Sequence, residues 1–111
     1  MPKAIMLVWS SPSDPSREDE YNKWYDSEHL PDVLKLAPFT GATRYKVSDA
    51  QFAPVETPAK YIAIYDVDTD DLSTIPQTMA DAFMSGQLPM NDVLVPGEIL
   101  IFEQASEHIT P

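Results

Sequence analysis

The chain has 111 residues and a mass of 12.4 kDa, enough for one hydrophobic core over residues 1–111 and too little for a catalytic domain with a separate regulatory one. Eighteen acidic against seven basic residues give a formal charge of −11, a field that repels phosphate backbones and anionic lipid, so no nucleic acid and no membrane is expected as a partner. Cysteine is absent, which removes disulfides, thiolate nucleophiles and sulfur-ligated zinc; His29 and His108 lie far apart, and no metal is expected.

Residues 3–10 form an apolar run without Gly or Pro, followed by Ser11, Pro12, Ser13, Asp14 and Pro15: a strand, then a loop. Asp14 as N-cap with Pro15 behind it, or Ser16 one residue later, starts a helix whose first turn carries Glu18, Asp19 and Glu20 against the positive end of its dipole. Tyr21, Tyr25 and His29 recur every four residues beside Trp24 and Glu28, giving an aromatic face. Pro31 lacks the donor for the Ser27 carbonyl and biases Leu30 away from helical angles, which predicts a kink or break there and a short turn through Leu36.

Residues 39–48 alternate as a strand, 49–58 with prolines 54 and 58 form a loop, and 60–67 are rich in β-branched and aromatic residues, a third strand. Thr74 followed by Gln77 has the spacing of a capping box for a second helix with an Ile75, Met79, Phe83 stripe, and Gly86 is its natural stop. A loop holding Pro89 and Pro96 then leads to a fourth strand over 98–104 and a polar tail over 105–111. The order β-α-β-β-α-β is the α+β ferredoxin-like arrangement, a four-stranded antiparallel sheet with two helices on one face. Strand one is apolar on both sides (Ala4, Met6, Val8 against Ile5, Leu7, Trp9), and so is strand three. Two helices cover one face only, so a homodimer packed sheet to sheet is expected.

The segment from Glu20 through Trp24, Tyr25, His29, Pro31 and Leu34, followed by Gly41 to Lys46, resembles the dimeric α+β barrel superfamily and within it the EthD-like proteins, whose first helix carries a Trp-Tyr pair, a His four residues after the Tyr and a Pro two further on. The resemblance implies two ferredoxin-like subunits closing a shared barrel, with a hydrophobic pocket in each between sheet and helices. Members include cofactor-free polyketide cyclases, lactone isomerases and lyases, besides haem-degrading oxygenases. Relatives often carry Pro-Gly where this chain has Pro38-Phe39, a departure at the turn into strand two.

His29 alone in the body of the fold has an ordinary pKa near neutrality, which makes it the candidate general acid or base, with Tyr25 one turn earlier polarising a substrate oxygen and Glu28 or Asp32 orienting the ring. The competing reading gives His29 a structural duty, satisfying backbone groups freed by Pro31. Trp24, Trp9, Tyr45, Tyr65, Met79 and Phe83 are candidates for lining a substrate pocket, and Arg44 for an anion or carbonyl anchor, against an ordinary surface salt bridge. There is no Gly-x-Ser-x-Gly, P-loop or dinucleotide turn, and three glycines in all speak against phosphate cradles. The expectation is a cytoplasmic enzyme that needs no cofactor and moves a proton on a small hydrophobic, oxygenated, aromatic or polyketide-like substrate in a cyclisation, isomerisation, dehydration or lyase step. The alternatives are a non-catalytic binder of hydrophobic metabolites serving an oxidation system and a haem oxygenase with His29 as axial ligand.

Overall fold

The computed structural model describes residues 3–111. Its order is β1 (Lys3–Pro12), α1 (Glu18–Trp24), a π turn (Tyr25–His29), α2 (Leu30–Leu34), β2 (Phe39–Lys46), β3 (Tyr61–Asp68), α3 (Ile75–Ser85) and β4 (Leu94–Glu103). The sheet runs β2-β3-β1-β4 with each neighbouring pair antiparallel, the ferredoxin-like α+β arrangement. Register decides what alternation alone left open. Ala4, Met6, Ala63, Tyr65 and Val67 are buried beneath the helices. Ile5, Leu7, Ile62 and Ile64 point the other way, with Ile5 across from Phe102 and Leu7 across from Leu100 on β4.

The helical entry follows the sequence closely: Ser16 donates its backbone N–H to Asp14 Oδ1 at 2.8 Å, and Pro15 opens a single 3-10 turn. Pro31 does not break the helix. Tyr25 and Leu30 keep right-handed helical angles, and the Leu30 N–H reaches back five residues to the Tyr25 carbonyl. The widened turn from Tyr25 to His29 absorbs the irregularity ahead of the proline, which then occupies an early position of α2, where a missing donor costs least. The capping box at Thr74 and Gln77 does not form either. Asp71 accepts from the Ser73 N–H at 3.0 Å, the Thr74 hydroxyl donates to the Asp71 carbonyl at 2.8 Å, and Gln77 pairs with Asp81 at 2.7 Å. Asp71, three residues upstream, offers a carboxylate that outcompetes the threonine hydroxyl for the free amides. Gly86 ends α3 in the left-handed region at φ 83°.

β4 begins at Leu94, so Pro96 and Gly97 lie inside the strand rather than in the preceding loop. A bulge between Val8 and Ser10 takes up the irregularity opposite them. A Cβ on Gly97 would sit 2.8 Å from the Trp9 carbonyl oxygen, so only glycine fits this close approach. Among the described residues no helix is long and apolar enough to cross a membrane.

Candidate functional site

Five elements converge on one hollow. The π turn supplies Tyr25 and His29, α2 supplies Val33, β3 supplies Tyr65, and β1 supplies Met6, Val8, Trp9 and Ser10, while Met79 and Phe83 of α3 close the far side. The cavity volume is about 70 Å³, within an apolar recess whose total free space, counting its open mouth, is about 490 Å³. Met90, Pro96, Gly97 and Ile99 form the rim on the β4 side. A wider groove of about 580 Å³ lies where β1 begins, among Lys3, Thr40, Asp66, Asp68 and Glu103; it is open to solvent and holds no histidine, so the chemistry is read from the smaller hollow.

His29 is 6% exposed. Its ring stacks on Trp24 with centroids 4.8 Å apart at 21° and meets Tyr25 edge-on at 4.9 Å and 84°. Burial pushes its pKa down to about 4; Asp32 pulls it up and Arg44 pushes it further down, both more weakly. The imidazole is therefore neutral at pH 7. Nδ1 is fully buried and has no hydrogen-bond partner among the described residues. Neither Glu28 nor Asp32 orients the ring: Glu28 is exposed, and Asp32 pairs with Lys35 at 3.5 Å.

The hydroxyls gather on the floor of the same hollow. The Tyr25 and Tyr65 hydroxyl oxygens are 3.5 Å apart, and Ser10 Oγ is 2.5 Å from the Tyr21 hydroxyl. Burial is the main cause that raises the pKa of both Tyr25 and Tyr65, so these phenols are protonated donors at neutral pH. Ser10, 2% exposed among apolar neighbours, was not singled out in the sequence. A serine at a strand end reads as turn chemistry, but Ser10 continues the alternation of Met6 and Val8 and so faces the helices.

Of the residues proposed from sequence, His29, Tyr25, Trp9, Tyr65, Met79 and Phe83 meet in this hollow. Three do not. Trp24 backs His29 from behind without lining the cavity. Tyr45 stands on the opposite face of the sheet, across from Ile62. Arg44 is not an anchor inside the cavity: it is tucked under α1, donating from Nη1 to Asp26 at 2.8 Å and from Nη2 to Asn22 at 2.9 Å. Alternation left open which face of β2 meets the helices; Arg44 lies on the helix side, where the aromatic rings of Tyr21, Tyr25 and Tyr61 cover its planar face.

The residues around His29 do not suit a haem, since a macrocycle needs a slot far wider than this hollow of about 70 Å³.

No family model and no curated protein matches the chain. Among solved structures it is similar to HapK from Hahella chejuensis, at 14% identity and a TM-score of 0.66 over 97% of this chain and 99% of that one. It is also similar to an ethyl tert-butyl ether d (EthD) family protein from Bacillus halodurans C-125, at 14% identity and a TM-score of 0.56 over 94% of this chain and 99% of that one. At such identity the likeness is one of fold, and the chain accordingly has the α+β fold of the EthD-like proteins that its helix and second strand resemble.

Proposed function

We propose that the protein is a cofactor-independent enzyme that transfers a proton on a small, hydrophobic, oxygenated substrate of aromatic or polyketide-like character. The observation that carries this reading is a neutral, buried imidazole placed in an apolar hollow beside phenol and serine hydroxyls. His29 is the base and Tyr25 the hydrogen-bond donor. The imidazole takes a proton from a carbon next to a carbonyl; the electron pair of that C–H bond moves to the carbonyl oxygen, which accepts a hydrogen bond from Tyr25 or Ser10. The proton then returns to another carbon in an isomerisation, or to a departing hydroxyl in a dehydration, or the carbanion attacks a second carbonyl carbon of the same substrate to close a ring and the imidazolium returns its proton to the alkoxide oxygen that this C=O becomes. A pKa near 4 keeps the base in its free form. Its proton affinity rises when negative charge grows on the substrate beside it, because an adjacent anion favours the imidazolium. Apolar walls of Met6, Val8, Met79 and Phe83 exclude water and strengthen that pairing.

The test is deuterium wash-in at the carbon next to the carbonyl, followed by NMR in D₂O across a panel of aryl ketones and polyketide-like diketones. The wild type is expected to exchange at least one of them, and His29→Ala to lose roughly three orders of magnitude of that rate with its circular dichroism unchanged. A variant that exchanges at the wild-type rate overturns the proposal. Tight binding without exchange across the panel would favour the non-catalytic binder.

The same reading includes a cytoplasmic homodimer joined through the outer face of the sheet. What supports it is the register that lines up Ile5 with Phe102 and Leu7 with both Leu100 and Ile64, a continuous apolar surface without a helix over it.

A further inference from the structure

We infer that Arg44, although outside the cavity, is a positioning residue of the site: its charge, passed through the Tyr25 ring, disfavours a cation on His29 and favours negative charge on the hydroxyls that face the substrate. The guanidinium carbon lies 4.3 Å from the Tyr25 ring centroid and 5.2 Å from each of the Tyr21 and Tyr61 centroids. The same Tyr25 ring meets His29 at 4.9 Å. One aromatic side chain therefore touches both the buried cation and the proposed base.

The burial of the ion pair is lopsided. The Arg44 side chain is 10% exposed, whereas its partner Asp26 is 62% exposed. Water screens the carboxylate far more than the guanidinium, so the charge felt inside is net positive. Arg44 Nε is also fully buried with no partner among the described residues. A guanidinium serving only as a surface salt bridge has no need to stand beneath three aromatic rings; one that lends its field to the interior does. Two charges of opposite sign act on His29: Asp32 on α2, paired with Lys35, raises its pKa more strongly than Arg44 lowers it, so Arg44 offsets the carboxylate instead of acting alone. Tyr65 on β3 is an uncharged phenol at neutral pH, and Met79, Phe83, Met90 and Ile99 carry no charge. The directions agree: Arg44 lowers the pKa of His29 along with the larger effect of burial, and lowers that of Tyr25 against it.

This inference deepens the proposed proton transfer, but it is tested without substrate. The imidazole of the full chain, in a His108→Gln background that leaves one histidine, is titrated by NMR. Arg44→Met keeps the stem and removes the charge, and is expected to move the His29 midpoint up by about half a unit to one unit. Arg44→Lys, which keeps the charge, is expected to stay within about a quarter of a unit. Asp26→Asn, at an exposed position, is expected to move it down. Equal rises in the Met and Lys variants would mean that Arg44 acts by packing alone and would overturn the inference, as would no rise in Arg44→Met or a rise in Asp26→Asn. Should Arg44→Met not fold, the Lys and Asn variants decide by the same directions. Failure of deuterium wash-in would refute the proposed reaction and leave this titration standing.

Discussion

A neutral imidazole buried as deeply as His29 makes folding sensitive to acid. Its folded pKa near 4 lies below its unfolded value of 6.5, so between those two values the unfolded chain binds more protons. The stabilisation is fully present above 6.5 and is lost as pH falls toward 4. Relative to a His29→Gln variant, the wild type is expected to lose about 2 kcal/mol between pH 7 and pH 5 in urea titrations; equal losses in the two proteins would mean that the ring titrates normally. The recurrence of Tyr21, Tyr25 and His29 announced this residue in the sequence, because four-residue spacing survives a single widened turn. Ser10 and the placement of Arg44 were not legible. Both depend on contacts between segments far apart in the chain, such as the Tyr21 hydroxyl on Ser10 and the rings over Arg44, and no local pattern encodes them.

Elements were readable where one residue type has one cheap conformation. Asp14 capping a turn and Gly86 at positive φ are of that kind. Proline misled the reading twice, for related reasons. Pro31 was expected to kink or break the helix with Leu30 off helical angles, yet the irregularity is a π turn preceding it, and Leu30 stays helical with its N–H bonded to Tyr25; Pro96 was expected in a loop, yet an edge strand tolerates a missing donor. The Trp9 to Gly97 contact gives this stretch of β4 a sharp test. Gly97→Ala places a methyl group against the backbone of a central strand, which cannot yield as a flexible side chain would. A loss of about 1–3 kcal/mol is expected in thermal or denaturant unfolding, with the cavity rim disturbed; a neutral alanine would show that the two strands part without cost.

At the level of the molecule, the radius of gyration is 15.0 Å, against about 13 Å for a compact chain of this length. The extents of 42 × 42 × 20 Å describe a slab one helix layer and one sheet thick. Leu100 is 41% and Phe102 51% exposed on its uncovered side. Light scattering is expected to give twice the chain mass of 12.4 kDa, and Leu100→Glu, which puts a charge in the middle of that face, to shift the mass toward a single chain. A wild-type mass of one chain at all concentrations would remove the dimer. β4 forms one border of the sheet, and the proline at position 96 interrupts it. A border strand broken in this way cannot zip lengthwise onto a newcomer, so fibril growth by strand addition is checked while stacking of broad faces stays open, which favours closed pairs over endless ribbons.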